Sequence, residues 1–163
     1  MSPVSHKIYL GLGSNMGDRQ AHLDAAVAAL APAVRALRRS AIYETAPWGY
    51  TEQPAFLNQV LEAETDLDPA ALLKLLKATE KKLGREDRFK NGPREIDIDI
   101  LLIDDLVLNE DRLQVPHPGL HGRAFILTPL ADLAPDLVIP GQKQTVKDLL
   151  AGLDTSGIKL YHQ

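Results

Sequence analysis

Asp97 and Asp99 stand two apart inside the apolar run Ile96–Ile103. On a strand, residues two apart leave the same face with a repeat of ~6.5–7 Å. Both carboxylates then aim side by side while Ile96, Ile98 and Ile100 face the core. Such a pair binds a hard cation. Sites with two metals hold them ~3.5–4 Å apart, a span that converging carboxylates bracket while phosphate oxygens and water complete each shell. Alone, an Asp-x-Asp pair fits a solvated acidic face equally well, but its neighbours weigh against that. Glu95 adds a third carboxylate to the same face, which is repulsive without a cation. Gly92, Pro93 and Arg94 fix a turn that brings a guanidinium to the acids, and Arg85, Arg88 and Lys90 precede it. Cations beside a metal site suit a polyanionic substrate, so the expected chemistry is magnesium-assisted handling of nucleotide phosphates.

Further along, Arg112, His117 and Arg123 punctuate a proline-flanked stretch and offer additional phosphate donors. Singly each reads as a surface charge, and a lone histidine as structural; their grouping gives them weight. The segment from Gly11 to Asp18 could cradle a phosphate at a helix N-terminus. No Gly-Lys-Ser/Thr follows, and Met16 stands where the dinucleotide fingerprint needs glycine, so a tight turn with a helix cap is the better reading. Between Thr45 and Pro54, proline and glycine interrupt any regular element, yet Trp48 and Tyr50 put two large aromatics into what should be a polar loop. That loop invites a functional reading.

These residues need elements to position them. Lys7–Leu12 reads as a strand and the run up to Pro32 as a helix with Leu23, Val27 and Leu30 at helical spacing. Val34–Tyr43 and Phe56–Thr65 read as strands, the second with Phe56, Asn58 and Val60 on one side, and Asn58 is an unusual inward residue. Asp68 and Pro69 cap a helix over Ala70–Leu83 that ends at Gly84. Ile96–Ile103 is the clearest strand; Val107–Val115 suggests a short hairpin. Arg123–Leu133 reads as a helix that Pro129 should kink or shorten, followed by a short helix at Val146–Leu150 and a strand at Ile158–Tyr161. The order strand, helix, strand, strand, helix, strand predicts an α+β sandwich of ferredoxin-like type: an antiparallel sheet with helices packed on it, plus C-terminal additions.

A length of 163 residues suits one domain, taken as 1–163. The net charge of -4 gives no global attraction to nucleic acid or an anionic membrane, so anion binding must be local. No apolar run reaches the ~18 residues of a membrane span, and Met1–Lys7 lacks a signal-peptide pattern, which makes the cytoplasm the expected location. The absence of cysteine removes disulfides, thiolate nucleophiles and Cys-type zinc sites.

With these residues in hand, the chain resembles the 6-hydroxymethyl-7,8-dihydropterin pyrophosphokinases over nearly its whole length. The most specific part is Lys90-Asn91-Gly92-Pro93-Arg94-Glu95-Ile96-Asp97-Ile98-Asp99, which satisfies the family's basic-x-Gly-Pro-Arg-x-x-Asp-apolar-Asp pattern. Gly11-Leu12-Gly13-Ser14-Asn15, the Tyr43-Glu44-Thr45 to Asn58 region, Glu80 with Gly84-Arg85, and Val115-Pro116-His117 with Arg123 and Phe125 support it. The resemblance implies a ferredoxin-like fold and attack of a pterin alcohol on the β-phosphorus of ATP, releasing AMP in tetrahydrofolate biosynthesis.

By that resemblance Asp97 and Asp99 hold two magnesium ions, and Arg85 and Arg94 steady the transferred group. Lys77, Glu80, Arg88, Lys90, Ile98, Arg112, His117 and Arg123 belong to the ATP side. Thr45, Ala46, Trp48, Phe56, Asn58, Asp97 and Phe125 belong to the pterin side, with Phe56 and Phe125 as the stacking pair. ATP and the pterin are then the only partners, bound by a monomer. Two departures stand out: Asn91 where the family often has tryptophan, and Ala46 where proline is common. Phe89 can supply the missing aromatic, and the two loops, Ala46–Gln53 and Gly84–Gly92, suit lids. The rival reading is a non-catalytic ferredoxin-like nucleotide or metal-binding module, which explains the fold but not the acids. An RNA-binding sheet needs exposed aromatics on its central strands, and the first offers only Tyr9.

Overall fold

In a computed structural model, which describes residues 5–46, 52–86, 88 and 92–162, strand β1 (His6–Ser14) pairs on one side with β5 (Asp97–Ile103) and on the other with β4 (Phe56–Thr65). The far edge of β4 is shared by β2 (Val34–Arg39) and β3 (Tyr43–Thr45), and β8 (Ile158–Leu160) adds outside β3. Every pairing in this six-stranded sheet is antiparallel. With α1 (Arg19–Leu30) and α2 (Pro69–Lys82) crossing one face, this is the ferredoxin-like arrangement expected from the element order.

Both helices start where their sequences dictate. The Asp18 carboxylate accepts from Ala21 N at 3.1 Å and Asp68 from Ala71 N at 2.8 Å, each satisfying an orphan donor of a first turn. Leu23, Ala26 and Leu30 of α1 and Leu72 and Leu76 of α2 bury against Leu10, Leu12, Ile96, Ile98 and Ile100. A second core lies on the opposite face. There Tyr9, Val60 and Leu101 meet Leu127 and Leu130 of α3 (Ala124–Leu133) and Val146 of α4 (Val146–Ala151). Short strands β6 (Leu108–Asn109) and β7 (Gln114–Val115) form the expected hairpin.

Three expectations are corrected. The first strand does not stop at Leu12 but continues to Ser14, so Gly11 and Gly13 are strand residues and the turn begins at Asn15. Flanking strands on both sides, paired as far as Leu57 and Asp97, outweigh the weak strand propensity of glycine. The second strand is divided at Ser40–Ile42, because the Ser40 side chain substitutes for the ladder: its Oγ accepts from Val60 N at 2.9 Å, and Gln59 Nε2 donates to its carbonyl at 2.8 Å. Finally, Pro129 does not shorten α3, which runs through it to Leu133. The helix is packed on the sheet along Ile126, Leu127 and Leu130, and that burial holds the turn the proline weakens.

Candidate functional site

Register sets the floor of the site. Gly13 pairs with Asn58 on one side and Asp97 on the other, and Gly11 with Val60 and Asp99. An amide and a carboxylate therefore lie in one row across three strands, with no Cβ between them. A Cβ on Gly13 would stand 3.3 Å from Asn58 Oδ1, so glycine keeps this floor flat. Above it opens a cleft of about 150 Å³, lined by Thr45, Ala46, Phe56 and Asn58 from one side, Arg94, Asp97 and Asp99 from the other, and Arg123 and Phe125 from the start of α3.

The acids are held from outside the sheet. Arg85 Nη1 donates to Asp97 Oδ1 at 3.0 Å and to Glu80 Oε2 at 2.7 Å, and Arg94 Nη1 donates to Asp97 Oδ2 at 3.2 Å. Burial, then the charge of the adjacent Asp97 carboxylate and a hydrogen bond shared with it, push the Asp99 carboxyl up to about 8. A carboxyl raised in this way is one that burial and a neighbouring negative charge both disfavour as a bare anion. Two hard oxygen donors that repel so strongly fit a divalent cation. Among the described residues no three or more His, Cys, Asp or Glu side chains converge in a way that could hold a metal. A cation here would need further ligands from outside these side chains.

Glu95 does not share that face. The strand starts only at Asp97, and Glu95 sits in the bend before it, gripped by Arg88 in a bidentate pair at 2.7 and 2.8 Å. The Arg88 guanidinium holds its carboxyl down at about 2. Of the other expected phosphate-side residues, His117 accepts from Gly119 N through Nδ1 at 3.1 Å. Burial and then the charge of Arg123 hold its pKa below the usual range, so the ring is neutral and its proton sits on Nε2. Arg123 packs over Gly119, where any side chain would collide with the guanidinium. Glu80 is buried and occupied: besides Arg85 it accepts from Ile98 N at 2.8 Å and lies 3.5 Å from Lys77 Nζ. Ile98 itself is core, 1% exposed, with its N–H already used. Lys77 is half-exposed, and Arg112 stands exposed between β6 and β7, outside the cleft lining.

On the other wall, Asn58 Nδ2 donates to Thr45 Oγ1 at 2.8 Å, leaving one amide N–H and the carbonyl oxygen facing the cleft. The Arg94 guanidinium lies 5.8 Å from the Phe56 ring centroid, a cation–π contact joining the two walls. Ala46 is exposed at the rim. Trp48 and Lys90, with Phe89, Asn91 and the centre of the first loop, lie outside the described residues.

Sequence reasoning missed Asn15 as a member of the site. It is 1% exposed; its Oδ1 accepts from Arg94 N at 2.9 Å, while its Nδ2 donates to Gln53 Oε1 at 2.8 Å and Pro54 O at 3.1 Å. One amide therefore ties both loops to the end of β1. Its signal was its place at the end of the Gly11–Asn15 motif.

The 7,8-dihydro-6-hydroxymethylpterin-pyrophosphokinase family model matches residues 9–135. A 2-amino-4-hydroxy-6-hydroxymethyldihydropteridine pyrophosphokinase from Methylorubrum extorquens is 48% identical over 94% of this chain and 97% of its own. The Aquifex aeolicus protein of the same name is 45% identical over 86% of this chain and 88% of its own. In fold, a crystal structure of Plasmodium falciparum HPPK-DHPS with pterin and p-hydroxybenzoate matches 91% of the chain with a TM-score of 0.73 at 17% identity, using 42% of that longer chain.

Proposed function

Because this chain belongs to the 7,8-dihydro-6-hydroxymethylpterin-pyrophosphokinase family, and so transfers pyrophosphate from ATP to a pterin alcohol in folate biosynthesis, we propose that the Asp97–Asp99 cleft is where both substrates meet. The observation that carries this reading is the single row Asn58–Gly13–Asp97. It puts a group able to recognise a heterocycle edge and a group able to hold a cation on one floor, two strands apart.

Asp97 and Asp99 would hold two magnesium ions. Bound there, the ions supply charge neutralisation for the triphosphate and lower the pKa of the attacking hydroxyl. The chain's own groups do the rest. Phe56 and Phe125 stack on the two faces of the pterin, and Asn58 donates and accepts at its edge, beside Thr45, Ala46 and Trp48. Arg94, already turned toward Asp97, meets the transferred group together with Arg85, so their positive charge is preorganised where negative charge develops. His117 donates from Nε2, as a neutral ring, to a phosphate oxygen; Arg123 adds a fixed charge beside it. Lys77, Arg88, Lys90 and Arg112 contribute at the outer phosphates and ribose. Glu80 and Ile98 act from beneath, Glu80 by holding Arg85 and the start of β5. The chain acts as a monomeric single domain in the cytoplasm.

The test follows AMP. Release of AMP from ATP requires magnesium and the hydroxymethyldihydropterin together, and loss of either stops it. AMP or ADP formed at the same rate without the pterin would reject the shared-cleft reading.

A further inference from the structure

Glu62 is a buried carboxylate that the chemistry does not use. Its side chain is 5% exposed, and an ion placed there is costly unless fully partnered. Its hydrogen-bond partners form a second row across the sheet, and Lys7 Nζ stands 3.8 Å from Oε2. Register sets Tyr9 of β1 and Arg38 of β2 opposite Glu62 of β4. The Tyr9 hydroxyl donates to Oε2 at 2.8 Å, and Arg38 binds both oxygens, at 3.0 Å through Nε and 2.9 Å through Nη2. Arg38 reaches inward because β2 carries a bulge between Ala36 and Arg38, the usual device for re-aiming one side chain.

The same Nη2 donates at 2.8 Å to the carbonyl of Leu133, the last residue of α3. Next to it, the Asp132 carboxylate accepts from the Tyr43 hydroxyl at 2.8 and 3.0 Å and from Ala41 N at 3.3 Å. Both tethers grip one end of a helix that is weak by itself. Arg123 gives it no side-chain cap, and Pro129 deprives the Phe125 carbonyl of its helical donor. The other end of α3 carries Arg123 and Phe125 into the cleft. On β4, Asn58 and Glu62 are four residues apart, ~13 Å along the strand; α3, ten residues long, spans ~15 Å. Helix and strand thus run from the same cleft to the same anchor.

We propose that Glu62 is a positioning residue for the pterin subsite: through Arg38 it pins the C-terminal end of α3 and so sets Phe125 at its working distance from Phe56. This rests on the reading of Phe56 and Phe125 as the pterin's walls. The geometry makes α3 a wall with a defined height rather than one fixed by helix propensity, and the tether acts on one substrate only.

The test is Glu62→Gln, which keeps size and the Tyr9 contact while removing the charge that grips Arg38. KM for the pterin alcohol rises about fivefold, a modest share of what ~1 Å misplacements can cost, with KM for ATP unchanged. Hydrogen exchange quickens at residues 124–134 while the β1 and β4 amides stay protected. Should Glu62→Gln fold poorly, Arg38→Lys, at a half-exposed side chain, loses the two-pronged grip and gives the same pattern. Unchanged exchange in α3, equal rises in both KM values, or quickened α3 with an unmoved pterin KM overturns the proposal. Phe125→Ala separates the two readings: if it leaves the pterin KM unmoved, the wall assignment fails, and the exchange data still decide the tether.

Discussion

Arg85 and Asp97 meet at 3.0 Å through the same guanidinium nitrogen that contacts buried Glu80 at 2.7 Å. Glu80 lies on the last turn of α2, and Gly84, at φ +97, turns the chain back so that Arg85 N donates to the Glu80 carbonyl at 3.0 Å. Helix, turn and strand are thereby locked around one charge. The acid that faces the cleft is oriented by an acid that never reaches it.

Glu80→Gln is therefore expected to act on both stability and turnover. Charged hydrogen bonds contribute ~1.5–3 kcal/mol each, so the urea midpoint falls. Slackening of Arg85 lowers kcat by roughly 10- to 100-fold. Wild-type kcat in a destabilised variant would remove Glu80 from the positioning role.

Substituting the acids has the opposite pattern. Asp97→Asn and Asp99→Asn each lower kcat by about 10³ or more. Asp99→Asn leaves thermal stability unchanged or raised, because it replaces an acid that burial, and then the Asp97 charge, push up to about 8 with a group that needs no proton to be neutral. Calorimetry at pH 7 beside a turnover assay separates the two effects.

Phe56→Ala and Phe125→Ala are each expected to raise KM for the pterin alcohol about tenfold, equivalent to ~1.4 kcal/mol of stacking. KM for ATP stays within error. Equal effects on both substrates would mean that the rings support the fold rather than the ligand.

Much of this was legible in the residues. Strict alternation made β5 readable, and Asp68-Pro69 marked α2 almost to the residue. Asn58, an amide between Phe56 and Val60 on one strand face, marked a residue that lines the cleft. What escaped were features that depend on partners distant in sequence. Glu95 follows the alternation of Ile96–Ile100 on paper, but Arg88 captures it before the strand begins. Nothing local reveals the bulge that turns Arg38 onto Glu62. Asn15 bonds across 38 and 79 residues of chain, and no periodicity encodes that.

The Glu62 row also has a pH consequence. The Arg38 hydrogen bonds hold the Glu62 carboxyl below its ordinary value of 4.5 against the opposing effect of burial. A depressed acid contributes stability that is fully present above its unfolded pKa and is lost as pH falls through the folded one. Urea midpoints are expected to hold from pH 7 to about 5 and drop below about 4.5. In Glu62→Gln the wild-type excess drop disappears. Identical acid profiles for the two proteins would contradict the sign.

The most direct test of the cleft's assignment is cation binding without turnover. Manganese titrated by electron paramagnetic resonance, in the presence of a non-hydrolysable ATP analogue, is expected to give two bound ions per wild-type chain. In the Asp97→Asn, Asp99→Asn double variant at least one is lost, while circular dichroism is unchanged. Equal stoichiometry and affinity in the two proteins would contradict the claim that this pair holds the metal.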